Sequence, residues 1–188
     1  SRPICDKLDV MNMVFEKPVL GFAAYSGTGK TTLLIELLPL LKDKGIRVAM
    51  IKHAHHNFDI DKPGKDSYEL RRAGADQVLI ASNYRRALMM EAPEGAEPEL
   101  EELVAALKLD TVDLVLVEGF RHLPFPKIEL YRPSLGKDLI YPKDSSVIAI
   151  ATDELVDVGD LPQLELNKPA EIADYIVQWQ LQTQLAKS

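Results

Sequence analysis

Short apolar runs alternate with amphipathic stretches along the first part of this 188-residue chain. Residues 19–23 are continuously apolar, as expected of a strand that is buried on both faces of a sheet. Residues 31–44 have helical spacing and end at Gly45, and Pro39 is expected to kink or interrupt the last turns of that helix. Residues 46–51, which are apolar apart from Arg47, are predicted to form the second strand. Strand, helix and strand in this order predict a parallel strand pair with a right-handed crossover.

The rest of the chain continues this alternation. Two short runs, 77–81 and 86–90, flank a polar turn and predict a hairpin at an edge of the sheet. Asp66 or Ser67 is expected to cap a short helix, and Asn167 to cap the C-terminal helix. Another helix is predicted near residues 100–107, and further strands are predicted at residues 112–119, 127–131, 147–151 and 164–166.

The predicted fold is therefore α/β, with a mixed, mainly parallel sheet flanked by helices and an edge hairpin. We expect residues 18–188 to form a single domain, because a chain of this length has room for one sizeable core. Residues 1–17 show no clear period and are interpreted as an N-terminal extension with no assigned role.

Residues 24–31 are the most informative stretch. They match the phosphate-binding pattern G-x-x-x-x-G-K-[ST], except that Ala24 replaces the first glycine. In such a loop the backbone N–H groups surround phosphate oxygens, so glycines avoid side-chain clashes. The lysine contacts the β- and γ-phosphates, and the final hydroxyl is offered to Mg²⁺. The predicted nucleotide-binding residues of the loop are Ser26, Gly27, Thr28, Gly29, Lys30, Thr31 and Thr32.

Glu118 directly follows the apolar residues 114–117 and gives a second signature of phosphate-loop enzymes, a carboxylate that holds the Mg²⁺ shell. We therefore predict Lys30 and Glu118 as catalytic residues, and Thr31 and Glu118 as metal-binding residues. The alternative interpretation of Glu118 is a buried strand that merely ends in a surface glutamate.

A long polar stretch, residues 52–66, follows the second predicted strand at the sheet edge where α/β folds place their ligands. Lys52 is expected near the bound phosphates. Asp59 and Asp61 are predicted to approach Mg²⁺ directly or through water, and solvated surface carboxylates are the alternative. The histidines of this stretch are compatible with a transition-metal site, with anion contacts or with no role. They are His53, His55 and His56.

Recognition of the base is only weakly encoded. A guanine site often carries Asn/Thr-Lys-x-Asp after a late strand, and residues 167–170 begin in this way but lack the aspartate. Asp153 follows a better-defined strand, and its carboxylate is the predicted acceptor for the N1 and N2 hydrogens of guanine. No glutamine follows Glu118 to orient an attacking water, so unassisted GTP hydrolysis is expected to be slow, on the order of 10⁻⁴ to 10⁻² s⁻¹.

Composition narrows the functional classes. The net charge of −7 argues against a nucleic-acid partner. No apolar run reaches the length of a membrane span, and no secretory signal is recognised, so we expect a cytoplasmic protein. The single cysteine, Cys5, excludes an internal disulfide and fits a reducing compartment.

Four motifs occur together in this chain. They are the loop within residues 22–32, Ile-Lys-His-Ala-His-His at residues 51–56, Asp-Lys-Pro-Gly-Lys-Asp-Ser at residues 61–67, and Val-Glu-Gly-Phe at residues 117–120. This combination closely resembles the MobB family, the adapter proteins of molybdopterin-guanine dinucleotide biosynthesis. The resemblance runs from about residue 19 to the C-terminal helix, and Ala24 in place of glycine also fits the family.

The resemblance implies a P-loop fold that binds GTP and Mg²⁺, with weak GTPase activity and a homodimeric state. It also implies assistance to the MobA-type nucleotidyltransferase that attaches GMP to molybdopterin, and it makes molybdopterin itself a further candidate ligand. By the same match, Lys30 and Thr31 contact phosphate and Mg²⁺, and Glu118 belongs to the metal shell. It leaves open whether GTP is delivered, hydrolysed as a switch, or structural.

Three other functions stay open from the residues alone. One is a small-molecule kinase that uses the same loop, with Asp59, Asp61 or Glu118 as its base. Another is a metallochaperone GTPase that uses the three histidines. The third is a partner-binding module in which nucleotide only stabilises the fold. For the homodimer, the hairpin at residues 77–90 is the predicted edge of association.

Overall fold

The computed structural model describes residues 13–55 and 58–187, and it confirms the predicted α/β class. These residues form two compact units, a larger one from residues 13–53 and 100–187 and a smaller one within residues 54–99. The elements in chain order are β1 (Val19–Ala23), α1 (Lys30–Asp43), β2 (Val48–Lys52), α2 (Asp66–Arg72), β3 (Gln77–Ala81), β4 (Arg86–Met90), α3 (Leu100–Ala105), β5 (Leu114–Glu118), β6 (Lys127–Tyr131), β7 (Val147–Thr152), β8 (Gln163–Glu165) and α4 (Pro169–Leu185).

The larger unit is built on a six-stranded parallel sheet with the order β2-β5-β1-β6-β7-β8. β1 and β2 are parallel, but they do not pair with each other as the sequence suggested. β5 lies between them and pairs with both, placing Leu116 beside Leu20 of β1 and beside Met50 of β2. Leu114, Val115, Leu116 and Val117 are fully buried, which explains why β5 takes an interior position.

Side chains of the central strands alternate between two apolar cores, one on each face of the sheet. Leu20 and Leu116 pack with α1 and α4 through residues such as Leu37 and Ile172. The neighbouring strand positions point to the second core, where α3 contributes two side chains. Members of the second core include Val19, Val115, Val117, Leu100 and Val104. Helices therefore cover both faces, and the carboxyl ends of the strands remain as the edge for a ligand.

The smaller unit contains α2 and the hairpin of β3 and β4. The two strands pair in antiparallel register as predicted, with Leu79 opposite Leu88. In the described residues they form a separate two-stranded sheet and not an edge of the larger sheet. Periodicity identifies a hairpin because its pairing is local, but it does not identify the strand beyond the hairpin.

Details at the helix ends differ from the sequence predictions. α1 continues past Pro39 without the expected interruption, and it ends before Gly45, whose φ of 79° suits the predicted stop. The N-cap of α2 is Lys65 and that of α4 is Lys168, so the predicted caps Asp66, Ser67 and Asn167 are wrong. For α4, the fixed φ of Pro169 at the first position already favours the helical start.

The predicted N-terminal extension lies only partly within the described residues. Residues 1–12, including Cys5, lie outside them. Met13 and Phe15 pack against the core that contains Val19 and Val115. The proposed division into residues 1–17 and a single domain at residues 18–188 stays a prediction.

None of the helices in residues 13–55 and 58–187 combines the length and the apolar character needed to cross a bilayer.

Candidate phosphate-binding site

The two predicted catalytic side chains meet at the carboxyl edge of the larger sheet. Lys30 begins α1, directly after the loop that follows β1, and Glu118 ends the neighbouring strand β5. The Lys30 Nζ lies 3.7 Å from the Glu118 Oε1, and both side chains are partly buried. An ammonium and a carboxylate are thus presented together beside the loop, as phosphate and metal binding require.

The loop is held open by its own backbone geometry. Gly27 and Gly29 have φ values of 86° and 94°, in the left-handed region that favours glycine. Thr28 between them is buried, and both its N–H and its hydroxyl donate to the Tyr25 carbonyl, at 3.3 and 2.7 Å. These bonds fix the turn from inside, so the outer face of the loop is preorganised without a ligand.

The N-terminus of α1 opens toward the same cleft. Its N-cap is Gly29, which has no side chain to bond the first helical N–H groups. Those groups and the positive end of the helix dipole are the features that bind anions. The cleft has a volume of about 450 Å³ and is lined by residues 24–32 together with Glu118. It therefore brings together all seven predicted loop residues, from Ser26 to Thr32.

The same cleft contains oxygen donors suited to Mg²⁺. The hydroxyl-bearing residue Thr31 and the carboxylate residue Glu118 both line it. Hard oxygen ligands with open positions left for water and phosphate are the ordinary donors of Mg²⁺ in proteins. Lys52, predicted near the phosphates, pairs in register with Glu118 at the end of β2 and is exposed there.

A tight junction after Glu118 sets its position. Gly119 has a φ of 100°, and a Cβ added there would lie 2.7 Å from the Cβ of His53. Phe120 follows with a φ of 54°, which is uncommon for a residue with a side chain, and its ring stacks on the His53 ring at 4.6 Å. The His53 N–H donates to the Glu118 carbonyl at 2.9 Å. His53 therefore supports the end of β5.

Arg132 is a site residue that sequence reasoning missed. It directly follows β6, and its Nε donates to the Thr28 carbonyl at 2.7 Å while its Nη1 pairs with the Asp153 carboxylate at 2.9 Å. A Cβ on Gly29 would lie 3.6 Å from its Nη2, so the guanidinium sits against the loop. The available signal was its place directly after a predicted strand, at the strand end where α/β sheets place their ligands.

Asp153, the predicted guanine contact, is joined to the loop through Arg132. Its Oδ2 accepts from Arg132, whereas its Oδ1 is buried and has no hydrogen-bond partner in the described residues. A smaller cleft of about 280 Å³ shares Gly29 and Thr32 with the phosphate cleft. Arg132 and Asn167 also line this smaller cleft.

In the smaller unit, Asp59 and Asp61 are engaged by one arginine. The Nη2 of Arg71 lies 2.7 Å from the Asp59 carboxylate and 2.9 Å from that of Asp61, and its Nη1 lies 3.2 Å from Glu91. The hydrogen bond from Arg71 lowers the pKa of Asp61 below its usual value. That these two carboxylates approach Mg²⁺ stays a prediction. To bind the ion, Asp59 and Asp61 would have to give up their ion pairs with Arg71.

The histidine-rich segment falls at the boundary of the described residues. His53 supports the end of β5 as described above, His55 is exposed, and His56 lies outside the described residues. Across residues 13–55 and 58–187, no three histidine, cysteine, aspartate or glutamate side chains are grouped as a metal would require.

Comparison with known proteins gives consistent matches. A family model described as MobB, molybdopterin guanine dinucleotide synthesis protein B, matches residues 19–153. The molybdopterin-guanine dinucleotide biosynthesis adapter protein of Escherichia coli (strain K12) is 48% identical over 165 residues, covering 86% of this chain and 93% of that protein. The Haemophilus influenzae protein of the same name is 44% identical over 163 residues, covering 86% and 89%.

Solved structures agree with these sequence matches. The crystal structure of molybdopterin-guanine biosynthesis protein B (mobB) superimposes with a TM-score of 0.66 at 25% identity, over 86% of this chain and 99% of the other. The structure of Bacillus subtilis MobB superimposes with a TM-score of 0.66 at 21% identity, over 86% and 96%. The latter similarity concerns the fold alone.

Proposed function

The chain belongs to the MobB family, and on that premise we propose that it is a GTP-binding adapter of molybdopterin-guanine dinucleotide biosynthesis. In this role it assists a MobA-type nucleotidyltransferase, which attaches GMP to molybdopterin. Two relatives that match most of their own length carry the name of adapter protein of this pathway. We further propose that the protein acts in the cytoplasm.

One observation carries the nucleotide part of the proposal. The Lys30 ammonium and the Glu118 carboxylate lie 3.7 Å apart in a cleft that the glycine-rich loop also lines. Lys30 would neutralise the outer phosphates, and the N–H groups of the loop and of α1 would surround their oxygens. Thr31 and Glu118 would hold a Mg²⁺ ion, which supplies charge neutralisation between the phosphates when bound.

Hydrolysis of GTP by this chain would be slow. Glu118 is followed by Gly119 and then by the buried Phe120, which packs on His53, so neither residue offers a side-chain amide to orient water. Unassisted GTPases of this kind turn over at roughly 10⁻⁴ to 10⁻² s⁻¹. A slow rate suits an adapter whose bound nucleotide persists while a partner associates.

We propose that guanine is recognised at the carboxyl edge of the larger sheet, beside Asp153 and the small cleft. The buried Oδ1 of Asp153 is an acceptor without a partner in the described residues, and such an atom is stabilised by an N–H donor. Asn167 and Thr32 line the small cleft that continues from the phosphate cleft. A guanine in this cleft would meet the polar residues Thr32 and Asn167 together with the apolar residue Leu166.

We also propose that the protein is a homodimer that associates through its hairpin. Leu79 and Leu88 lie opposite each other on one face of the hairpin. The relative solvent exposure is 65% for Leu79 and 50% for Leu88. Met90 on the same face is also exposed. Exposed apolar strands favour pairing with a second copy, because pairing buries the side chains and satisfies the outer backbone groups.

The proposal is tested by reconstituting formation of molybdopterin-guanine dinucleotide with a MobA-type enzyme, molybdopterin and GTP. Addition of the chain is expected to increase product formation, and Lys30→Ala is expected to abolish that increase. Lys42→Ala is the matched control, because Lys42 is an exposed lysine in the last turn of the same helix. Equal stimulation by the wild type and Lys30→Ala would contradict a nucleotide-dependent role.

A further inference from the structure

A second cleft lies beside the phosphate cleft in the larger unit. Its volume is about 390 Å³, which is within the range of small-molecule sites. One wall is the segment after β5 and another is the connection between β6 and β7. Tyr25 lines both clefts, so the second one, here named the Tyr25 cleft, adjoins the phosphate loop. The residues lining it are Tyr25, Arg121, His122, Leu123, Pro124, Asp138, Leu139, Ile140, Lys143 and Asp144.

The lining combines an aromatic surface with cationic groups. The Arg121 guanidinium lies over the Tyr25 ring, 5.3 Å from its centroid. Lys143 adds a second cation, and His122 adds an imidazole that can donate N–H bonds. A guanidinium stacked on an aromatic ring presents a flat face and a fork of donors, which together suit a planar ligand with an acidic group.

The charge of Asp144, which lines the Tyr25 cleft, is already compensated. The buried Lys127 ammonium donates to the Leu123 carbonyl, to the Asp144 carboxylate at 3.1 Å and to the Ser146 hydroxyl at 2.6 Å. These three bonds use all of its donors and compensate the charge of Asp144. The charges left facing a ligand are therefore Arg121 and Lys143 against Asp138 alone.

A buried carboxylate holds the opposite wall in place. Glu129 on β6 accepts hydrogen bonds from the backbone N–H groups of Ile140 and Tyr141, at 2.7 and 2.8 Å. Ile140 lines the cleft itself. Neither Glu129 nor Lys127 lines the phosphate cleft, so this supporting structure is not accounted for by nucleotide binding.

We propose that the Tyr25 cleft binds a planar heterocycle that carries an acidic group, with the chemistry of an acidic pterin. The cations bind the acidic group, the stacked Arg121 and Tyr25 offer flat surfaces to the ring, and Asp138 accepts its amino hydrogens. The inference rests on the proposed role in joining GMP to molybdopterin. Because Tyr25 belongs to both clefts, the two ligands would be neighbours on this protein.

Titration of the full chain with pterin-6-carboxylate, followed by the fluorescence of the pterin, tests the proposal. Saturable binding is expected, and Arg121→Ala and Lys143→Ala are each expected to weaken it about tenfold or more, as for loss of a charge-assisted hydrogen bond. Lys137→Ala is the matched control, because Lys137 is an exposed lysine of the same connection that does not line the cleft.

The Lys30→Ala variant separates this proposal from nucleotide binding. It is expected to bind the pterin as the wild type does while losing GTP, and Arg121→Ala is expected to show the opposite pattern. Pterin binding that is lost in Lys30→Ala but retained in Arg121→Ala would place the probe on the phosphate loop and overturn the proposal. Absence of saturable binding, or displacement by equimolar inorganic phosphate, would also overturn it.

Discussion

Among single residues, Arg132 does the most to connect the phosphate loop with the rest of the sheet edge. Its guanidinium bonds the carbonyl of Thr28 and the carboxylate of Asp153, which follow β1 and β7. β6 lies between these two strands, so a long side chain at its carboxyl end reaches both neighbours. The Arg132 guanidinium therefore ties the loop that follows β1 to the segment that follows β7.

Replacement of Arg132 by alanine is expected to weaken GTP binding about tenfold, because a charge-assisted hydrogen bond to the loop is lost and Asp153 is left without its cation. Isothermal titration calorimetry with GTP and Mg²⁺ measures the change. Arg72→Ala, at an exposed arginine of α2, is the control and is expected to bind GTP normally. Unchanged affinity in Arg132→Ala would show that the loop keeps its shape without this contact.

Gly119→Ala tests the junction after Glu118. Strain from a positive φ costs about 1–3 kcal/mol, and the added methyl group also meets the Cβ of His53 at 2.7 Å. Gly136→Ala is a matched control, because Gly136 has a φ of 66° but open space around its missing Cβ. Chemical denaturation is expected to show a larger loss of unfolding free energy in Gly119→Ala. Equal losses would mean that contact with His53 does not constrain the turn.

Among the structural elements, the hairpin of β3 and β4 carries the proposed dimer contact. Leu88→Glu places a charge on the exposed apolar face and is expected to shift the protein from dimer to monomer. Tyr84→Ala is the control, because Tyr84 is a 98% exposed residue in the turn and not on that face. Light scattering after size-exclusion chromatography gives the masses. A monomeric wild type, or a dimeric Leu88→Glu, would contradict this interface.

The buried Glu129 of β6 is expected to make the free energy of unfolding depend on pH. Burial raises the pKa of Glu129 above its ordinary 4.5, against the opposing effect of two backbone N–H donors. A raised pKa means that the folded state binds the proton more tightly than the unfolded state does. The resulting stabilisation is complete below pH 4.5 and is lost as the pH rises through the folded-state pKa.

The measurement is the free energy of unfolding of the wild type and of Glu129→Gln across this range. The wild type is expected to lose stability relative to Glu129→Gln as the pH increases from about 4.5 upward. Glu101→Gln, at an exposed glutamate of α3, serves as the control. Parallel stability curves for the wild type and Glu129→Gln would show that folding does not change the pKa of this carboxyl.

At the scale of the whole molecule, local patterns predicted the fold class and most strands but not their neighbours. The order strand, glycine loop and helix depends on adjacent residues, so the loop and the strand ending in Glu118 were visible in the sequence. The insertion of β5 between β1 and β2 depends on contacts between distant segments, and no periodicity encodes it. The same limit applies to the hairpin. Its strands pair with each other locally, but its separation from the larger sheet depends on distant segments.

In the site, too, residues within local motifs were predicted, whereas contacts between distant segments were not. Lys30 and Glu118 were predicted because each belongs to a motif with a known spacing, and the structure places them 3.7 Å apart. Arg132 belongs to no motif, and its role follows from the position of β6 beside β1. Asp153 was identified from the strand before it, but its pairing with Arg132 could be found only from the folded arrangement.

The most direct test of the account is equilibrium binding of GTP and of ATP in the presence of Mg²⁺, with Lys30→Ala as the variant and Lys42→Ala as its control. We expect preferential binding of GTP, loss of that binding in Lys30→Ala and retention in Lys42→Ala. Preferential binding of ATP would contradict the guanine assignment and favour a small-molecule kinase. GTP binding that persists in Lys30→Ala would contradict the assignment of the phosphate loop.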